Sequence, residues 1–392
     1  MKRLLRNSLF GLGAVFLLGA GLTYTSPFVH IRNYVQRGEV DILDYKYHPT
    51  RQVLASTMPE PWPLDSNFNK AVIPKNLMDT LEKYRTTAFL VFQDGKLLYE
   101  KYWENFDPNT LSQSFSASKS VISLLIGVAL YENKIKGLDE PVAHYIDSFR
   151  EGEKAKITLR HCLTMSSGLD WHEKDRGVFS NNAYGYYGED MAGVIDDLNV
   201  EKPAGKEFEY RSGDTEILGL VLEKAYNKKI ADLASEKIFQ RIGAETDAVW
   251  MLDKPKGREK AYCCFAPTAR DYARFGHLML WKGNWKGRRQ IASEKYMTEA
   301  LSPAQHLIDP KTDKPLEVYG YQFWLQPYKD LKTVSMRGLL GQLIWAIPSQ
   351  NAVVVRLGHQ ESPQKTGPYF RQDSEAYLQA ALEVINHSKS PN

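Results

Sequence analysis

The chain has 392 residues, of which 43% are hydrophobic and 25% charged, so it can bury a large core and exceeds the usual size of one domain. Its formal net charge is +3, and Lys2, Arg3 and Arg6 account for that excess because residues 1–25 contain no acidic residue. The remaining body is neutral and has no run of lysine or arginine, which excludes a nucleic-acid-binding protein.

The N-terminal segment is typical of an export signal. Three basic residues precede an apolar run from Leu9 to Leu22. The run is shorter than the roughly 20 apolar residues that a membrane-spanning helix needs, which favours a signal peptide. No small-residue cleavage site follows it, however, which favours an anchor. Residues 1–25 are therefore predicted as a signal peptide or, with some preference, an uncleaved N-terminal membrane anchor. Either way the body is expected to be exported, periplasmic or anchored to the inner membrane and facing outward.

The elements of the body follow in chain order. Residues 26–70 contain five prolines and predict a linker with an N-terminal wrap. The β-forming stretches 87–92 and 97–103 flank Asp94-Gly95, which predicts a β-hairpin, and the apolar spacing from Ser116 to about Glu132 predicts a helix. Further predicted elements are a short helix over 157–165, a loop-rich stretch over 170–199, helices over 215–225, 268–281 and 374–385, and strands over 333–336, 343–347 and 352–357.

Strands at both ends of the chain around a helical middle predict an α+β fold. We expect an antiparallel sheet flanked by helices, with an inserted, mainly helical lobe. One domain is placed over residues 71–392, with its sheet lobe at about 71–155 and 256–392 and its helical lobe at about 156–255. A ligand site is expected in the cleft between two such lobes.

The first candidate site element is Ser116-Ala117-Ser118-Lys119, an S-x-x-K pattern. At the first turn of a helix, Ser116 and Lys119 share a face, and the amine can reach the hydroxyl. A desolvated lysine of lowered pKa can activate a serine as nucleophile. A capping serine followed by a surface lysine is the alternative, but Lys119 precedes a strongly apolar helix face.

Two further elements lie downstream. Tyr210 precedes Arg211-Ser212-Gly213-Asp214 and a helix, so its phenol can face the cleft and relay a proton; a core tyrosine followed by a capping residue is the alternative. The glycines of the stretch Met336–Gln342 lie between two predicted strands. They would let a substrate approach the backbone, whose N–H groups can complete an oxyanion hole, or they serve a tight bend alone.

The three cysteines, Cys162, Cys263 and Cys264, do not form a disulfide framework or a zinc-binding spacing. Adjacent cysteines rarely bridge because a disulfide demands a specific geometry. All three are therefore predicted to be buried small hydrophobic residues.

Taken in this order, the motifs resemble those of the penicillin-binding-protein and class C β-lactamase-like serine hydrolases, and within them the esterase and 6-aminohexanoate-dimer hydrolase branch. The resemblance runs from about residue 80 to 390. The stretches that carry it are Ser114–Ser120, Thr158–Leu169, Tyr210–Thr215, Thr268–Gly276, Tyr319–Trp324 and Gly338–Pro348.

The resemblance implies a role for each candidate residue. Ser116 is the nucleophile, Lys119 its base partner and Tyr210 the proton relay, while the backbone N–H groups of Ser116 and Leu339 form the oxyanion hole. The implied substrate-binding residues are Ser212, Arg337, Gly338, Tyr186 and Tyr187. No metal or cofactor is expected, the substrate is a small ester or amide, and the oligomeric state stays open.

One departure narrows the expected substrates. Where β-lactamases carry Lys-Thr-Gly, this chain has Met336-Arg337-Gly338, and it lacks an S-D-N motif and an obvious acidic deacylation base. Arg337 replaces the missing cation only if its side chain turns into the cleft. We therefore predict an esterase or amidase, with a D,D-peptidase or weak β-lactamase and a catalytically inactive envelope-binding module as alternatives.

Overall fold

The computed structural model describes residues 21, 28–175 and 177–389. Apart from Gly21, the predicted signal peptide or anchor over residues 1–25 lies outside these residues and stays a prediction. Within the described part of the chain, no helix is long and apolar enough to span a membrane.

The strands form one large sheet and several small ones. In chain order they are β1 (Thr50–Val53), β2 (Thr86–Gln93), β3 (Lys96–Tyr102), β4 (Ala248–Met251), β5 (Phe265–Ala266), β6 (Asn284–Trp285), β7 (Arg289–Gln290), β8 (Ile308–Asp309), β9 (Lys314–Pro315), β10 (Trp324–Tyr328), β11 (Leu331–Gly338), β12 (Gln342–Ile347), β13 (Ala352–Gly358), β14 (Lys365–Thr366) and β15 (Phe370–Arg371). The large sheet is antiparallel throughout, with the strand order β10-β11-β12-β13-β2-β3.

Helices cover both faces of this sheet and build the second lobe. In chain order they are α1 (Val29–Arg37), α2 (Lys75–Lys83), α3 (Ser118–Tyr131), α4 (Leu159–Leu163), α5 (Asn181–Tyr187), α6 (Met191–Asp196), α7 (Ser212–Tyr226), α8 (Ile230–Leu233), α9 (Ala269–Leu280), α10 (Glu294–Ala300) and α11 (Asp373–Lys389). A 3₁₀ turn, Phe115–Ala117, leads into α3. The predicted α+β fold is confirmed.

The large sheet is buried on both faces. Along β2, Phe89 and Val91 pack in the cluster with α2 and α11, whereas Leu90 and Phe92 belong to the cluster of α3 and α9. Successive side chains of a strand point to opposite faces, so a strand covered on both sides needs a nearly continuous apolar run. The α3 cluster also includes α7, and this packing holds the start of α3 between the sheet and the helical lobe.

Residues 28–70 contain more regular structure than their proline content predicts. They supply α1 and β1, and β1 pairs with β4 so that Val53 lies opposite Ala248. Ile42 and Val53 are fully buried. The sequence does not reveal this packing because the partners of β1 are about 200 residues away, a separation that follows from the paired positions.

The stretch 170–199, which was predicted to be loop-rich, also contains two short helices that the sequence did not predict, α5 and α6. Each begins at a capping residue: the Ser180 hydroxyl accepts a hydrogen bond from the Ala183 N–H, and the Asp190 carboxylate accepts one from the Gly193 N–H, both at 3.2 Å. Glycines and tyrosines among these residues hide the apolar periodicity that would have predicted the helices.

Candidate active site

The serine and lysine of the S-x-x-K pattern meet at the start of α3. Ser116 lies in the 3₁₀ turn and is half-buried, and Lys119 lies one turn later, where the helix enters the core. The distance from Lys119 Nζ to Ser116 Oγ is 3.0 Å. Phe115, just before the serine, has a φ of 44°, a strained conformation of the kind that clusters at functional sites.

Lys119 is buried and its ammonium group is fully engaged. Its side chain donates to Ser116 Oγ at 3.0 Å, to Ser212 Oγ at 3.0 Å and to the Tyr262 carbonyl oxygen at 2.8 Å. Burial lowers the pKa of Lys119 to about 8, although the nearby carboxylates Glu173 and Glu216 oppose the shift. A lysine of this pKa is partly neutral near physiological pH and can accept a proton from a serine hydroxyl.

Tyr210 completes the group around the serine. The Ser116 side chain opposes the rise in the pKa of the Tyr210 phenol, and the Tyr210 ring lies 5.2 Å from Lys119 Nζ. Burial and then the neighbouring Glu173 raise the pKa of Tyr210, so the phenol keeps its proton at neutral pH. The environment thus leaves Lys119 able to accept a proton and Tyr210 able to donate one, near the same serine hydroxyl.

Glu173 is a site residue that the sequence did not predict. Its carboxylate accepts a hydrogen bond from the Ser212 N–H at 2.6 Å, at the start of α7. Glu216, inside α7, accepts one from the Ala261 N–H at 2.8 Å, and burial raises its pKa to about 8. No motif marks Glu173, because it lies in an irregular segment and reaches Ser212 only through the fold.

The end of β11 lies against the segment that carries the serine. Met336 is fully buried, and a Cβ on Gly338 would overlap the Ser114 carbonyl oxygen, so the two backbones approach too closely for any other residue. Leu339 follows at the edge of the cavity in front of Ser116. Leu339, whose N–H group the resemblance implies as an oxyanion donor, therefore lines the same cavity as Ser116.

Arg337 turns toward the tyrosine side of the site. Its guanidinium lies 4.9 Å from the Trp324 ring and donates to the Tyr369 carbonyl oxygen at 3.2 Å. Its charge also acts on Tyr210, where it opposes the rise in the pKa of that phenol. Arg337 therefore provides a positive charge that acts on the tyrosine.

Tyr186 and Tyr187 line the cavity in front of Ser116, which has a volume of about 280 Å³. Their hydroxyl groups are held by the N-terminal segment: Tyr186 donates to Asp44 at 2.6 Å and Tyr187 donates to the Gly38 carbonyl oxygen at 2.9 Å. The rings therefore form a fixed aromatic wall. We call this space the front cavity; its other lining residues include Phe115, Ser116, Tyr262 and Leu339.

The prediction of three unbridged cysteines was wrong for two of them. Cys263 and Cys264 form a disulfide, while Cys162 is a buried free thiol. The backbone of Cys264 adopts a φ of 77°, a positive value that is uncommon for residues other than glycine and that the sequence therefore does not predict. Cys263 lines the front cavity, and the neighbouring Tyr262 supplies the carbonyl that holds Lys119.

Comparison with known proteins identifies the family of the chain. Residues 75–377 match the beta-lactamase family. A 6-aminohexanoate-dimer hydrolase from Paenarthrobacter ureafaciens is 25% identical over 305 residues, which cover 74% of this chain and 76% of the relative.

Solved structures share the fold at lower identity. A Bacillus anthracis protein, described only provisionally as a 6-aminohexanoate-dimer hydrolase, has a TM-score of 0.75 at 20% identity, covering 94% of this chain and 97% of its own. A family VIII carboxylesterase has a TM-score of 0.62 at 16% identity, covering 83% of this chain and 99% of its own. The resemblance inferred from the motifs is confirmed. With most of its length matched, the chain belongs to the beta-lactamase family of serine hydrolase-like enzymes.

Proposed function

We propose that this protein is a serine hydrolase that cleaves a small ester or amide through an acyl-enzyme at Ser116. The observation that carries the proposal is the 3.0 Å contact between Lys119 Nζ and Ser116 Oγ, at a lysine whose pKa burial lowers to about 8. The similarity to a 6-aminohexanoate-dimer hydrolase and the shared fold of a carboxylesterase support the choice of ester or amide.

The acylation step follows from the lowered pKa of Lys119 and the raised pKa of Tyr210. Neutral Lys119 takes the proton of Ser116 Oγ as that oxygen attacks the carbonyl carbon, and the backbone N–H groups of Ser116 and Leu339 stabilise the oxyanion. Tyr210 gives its phenolic proton to the leaving oxygen or nitrogen as the acyl bond breaks. The ammonium of Lys119 then returns a proton to Tyr210, so the site ends neutral and the acyl group stays on Ser116.

Deacylation repeats the same steps with water. A water molecule attacks the acyl carbon from the position that the leaving group has vacated, and its proton ends on neutral Lys119, passed through Tyr210, which takes one proton and gives up another. Collapse of the tetrahedral intermediate returns that proton to Ser116 Oγ and releases the acid. Met336 lacks the charge that would hold the carboxylate of a β-lactam, which favours an esterase or amidase over a β-lactamase.

A fluorophosphonate probe tests the proposal directly. We expect it to label the wild-type protein at Ser116, with the modified peptide identified by mass spectrometry, and we expect Ser116→Ala to remain unlabelled. Ser118→Ala is the matched control, because its hydroxyl donates to the Ala261 carbonyl at 3.2 Å and lies outside the reacting group. An unlabelled wild-type protein, or equal labelling of Ser116→Ala, would favour the inactive binding module.

The pH profile of kcat/KM should report the titration of Lys119. Only the neutral amine accepts the serine proton, so kcat/KM should rise with pH and level off above about 8, where burial places the pKa of Lys119. Stopped assays with a p-nitrophenyl ester between about pH 6 and pH 9 measure this, after subtraction of spontaneous hydrolysis.

Lys260 provides the control for that profile. Burial also lowers its pKa to about 8, but its ammonium binds the carbonyl oxygens of Gly185 and Tyr186 at 2.7 and 2.8 Å. Lys260→Met should therefore keep the midpoint of the profile. If the midpoint disappears in Lys260→Met, the titrating group is Lys260 and not Lys119.

A further inference from the structure

Helix α1 packs on the body of the protein along one side only. Val29 and His30 are buried, and the Asn33 side chain donates to the Tyr187 carbonyl oxygen at 2.8 Å, so this side of the helix lies against α5. Because side chains spread around a helix, the opposite side of α1 points away from the protein.

The outward side of α1 is apolar. Phe28, directly before the helix, is followed by Ile31 and Val35 at spacings of three and four residues, so the three side chains share one face. Val35 is 75% exposed and Phe28 is 39% exposed. Phe179, in the turn before α5, adds a ring that is 70% exposed and lies 6.5 Å from the His30 ring, measured between centroids. We call Phe28, Ile31, Val35 and Phe179 the α1 patch; neighbouring exposed apolar side chains of this kind mark an interaction surface.

The charges on α1 are positive. The helix contains Arg32 and Arg37 and no acidic residue, and Arg32, four residues after Phe28, borders the α1 patch. Four acidic side chains beside α1 line a cavity with Val29, on the side that faces the protein: Asp170, Glu189, Asp190 and Asp197. An apolar helix face bordered by a cation is typical of a helix that lies in a membrane interface, where the cation approaches anionic headgroups.

The covalent chain keeps the α1 patch close to the predicted membrane anchor. The apolar run Leu9–Leu22 ends six residues before Phe28, and six residues span at most roughly 20 Å. A patch of four side chains binds lipid weakly by itself, but an anchor raises its local concentration at the membrane surface. The anchor and the patch together therefore provide the two attachments that stable binding to a membrane surface needs.

The α1 patch borders the mouth of the front cavity. Tyr34 of α1 lines that cavity, as do Gly177 and Ser180, which flank Phe179 in the sequence. Leu339, on the edge of the same cavity, is 39% exposed. A membrane surface in contact with the α1 patch would thus lie beside the entrance to the space in front of the nucleophile.

We infer that the α1 patch is a lipid-binding surface, which lies on the outer face of the membrane in which residues 1–25 are anchored. The front cavity then opens beside the lipid headgroups. The inference rests on an uncleaved anchor and goes beyond the proposed hydrolase function, because contact with lipid requires no reaction at Ser116.

A fluorescent probe in the α1 patch tests the inference. Val35→Cys in the full chain is labelled with nitrobenzoxadiazole and inserted into vesicles of phosphatidylethanolamine and phosphatidylglycerol that contain a spin-labelled phosphatidylcholine. The native cysteines leave the labelling specific, because Cys162 is buried and Cys263 is joined to Cys264. We expect a blue-shifted emission that the spin-labelled lipid quenches, as for a probe among acyl chains.

Gln36→Cys with the same probe is the matched control. Gln36 is exposed and follows Val35, so the tether holds both at a similar distance from the membrane, but their side chains point about 100° apart around the helix. Quenching at position 36 should be several-fold weaker. Equal quenching at the two positions would overturn the inference, since the tether alone would then account for it. Absence of quenching at both positions would refute it as well.

Substitution of the patch provides a second readout. Phe28→Gln and Phe179→Gln, made together in the labelled Val35→Cys protein, should weaken binding to lipid at least about tenfold and reduce the quenching accordingly, because two aromatic side chains no longer leave water. Met58→Gln and Val72→Gln are the control pair, being exposed at 80% and 87% outside the patch. Unchanged quenching in the first pair, or an equal loss in both pairs, would contradict the inference; thermal unfolding midpoints verify that all variants fold.

The remaining outcomes identify other occupants of the α1 patch. A blue shift that spin-labelled lipid does not quench would show that protein covers the patch, either a second copy or the N-terminal segment of the same chain, and the lipid surface would be wrong. A mature N-terminus beyond Leu22, found by mass spectrometry, would remove the tether and with it the inference. Fluorophosphonate labelling of Ser116 is measured separately, so failure of the lipid surface and failure of the hydrolase function are distinguishable.

Discussion

Lys119→Met is expected to lower kcat/KM for a small aryl ester by about a thousandfold, within the range that a positioned general base contributes. The substitution removes the group that lies 3.0 Å from Ser116 Oγ. Methionine has a similar length and suits the buried position, where the lysine side chain is only 1% exposed, so the protein should remain folded. Steady-state kinetics and the thermal unfolding midpoint measure the two effects.

The pH dependence distinguishes a base from a fixed positive charge. If Lys119 accepts the serine proton, the residual activity of Lys119→Met should lose the step in kcat/KM near pH 8, where the wild-type lysine titrates. If Lys119 acted only by its charge, activity would instead fall as the lysine became neutral above that pH. A loss of less than tenfold with an unchanged pH profile would sink the assignment of Lys119 as base.

Features set by neighbouring residues could be predicted from the sequence. The hairpin turn at Asp94-Gly95 has φ values of 51° and 75°, the positive values that such a dipeptide tolerates. The pairing of Ser116 with Lys119 follows from their three-residue spacing on one helix. In both cases the residues involved are close in sequence, so their spacing alone determines how they are placed relative to one another.

The supporting contacts of the site could not be predicted in this way. The Lys119 ammonium reaches the Tyr262 carbonyl across 143 residues of sequence, and the Ser212 N–H reaches Glu173 across 39. No periodicity links such positions, because tertiary packing alone brings them together. The resemblance to a family suggested the roles of Ser116 and Tyr210 but gave no place to Glu173.

Strand parity explains why the role of Arg337 stayed open. Side chains alternate along β11, and a shift of one residue exchanges the two faces. Met336 lies opposite Ile344 and faces the core, so Arg337 emerges on the other face, next to Trp324 and Phe370. The sequence shows the alternation but not its phase, which depends on pairing with β10 and β12.

Gly338→Ala is expected to lower kcat/KM by about a hundredfold or more, the loss that follows removal of one oxyanion donor. The added Cβ would overlap the carbonyl oxygen of Ser114, a backbone atom that cannot rotate away. The end of β11 must therefore move away from Ser116, and it takes the Leu339 N–H with it. Gly338 pairs with Gln342 at the last position of β11 and β12, so the other four paired positions remain and the protein should fold with a lowered unfolding midpoint.

Gly137→Ala provides the matched control for this substitution. A Cβ at Gly137 meets no heavy atom within 4 Å, and its backbone does not adopt a positive φ, so both kcat/KM and the unfolding midpoint should stay at wild-type values. The same kinetic assay and thermal scan serve both variants. Wild-type kcat/KM in Gly338→Ala would mean that the reacting carbonyl does not lie between β11 and the start of α3, and the oxyanion hole would have to be sought elsewhere.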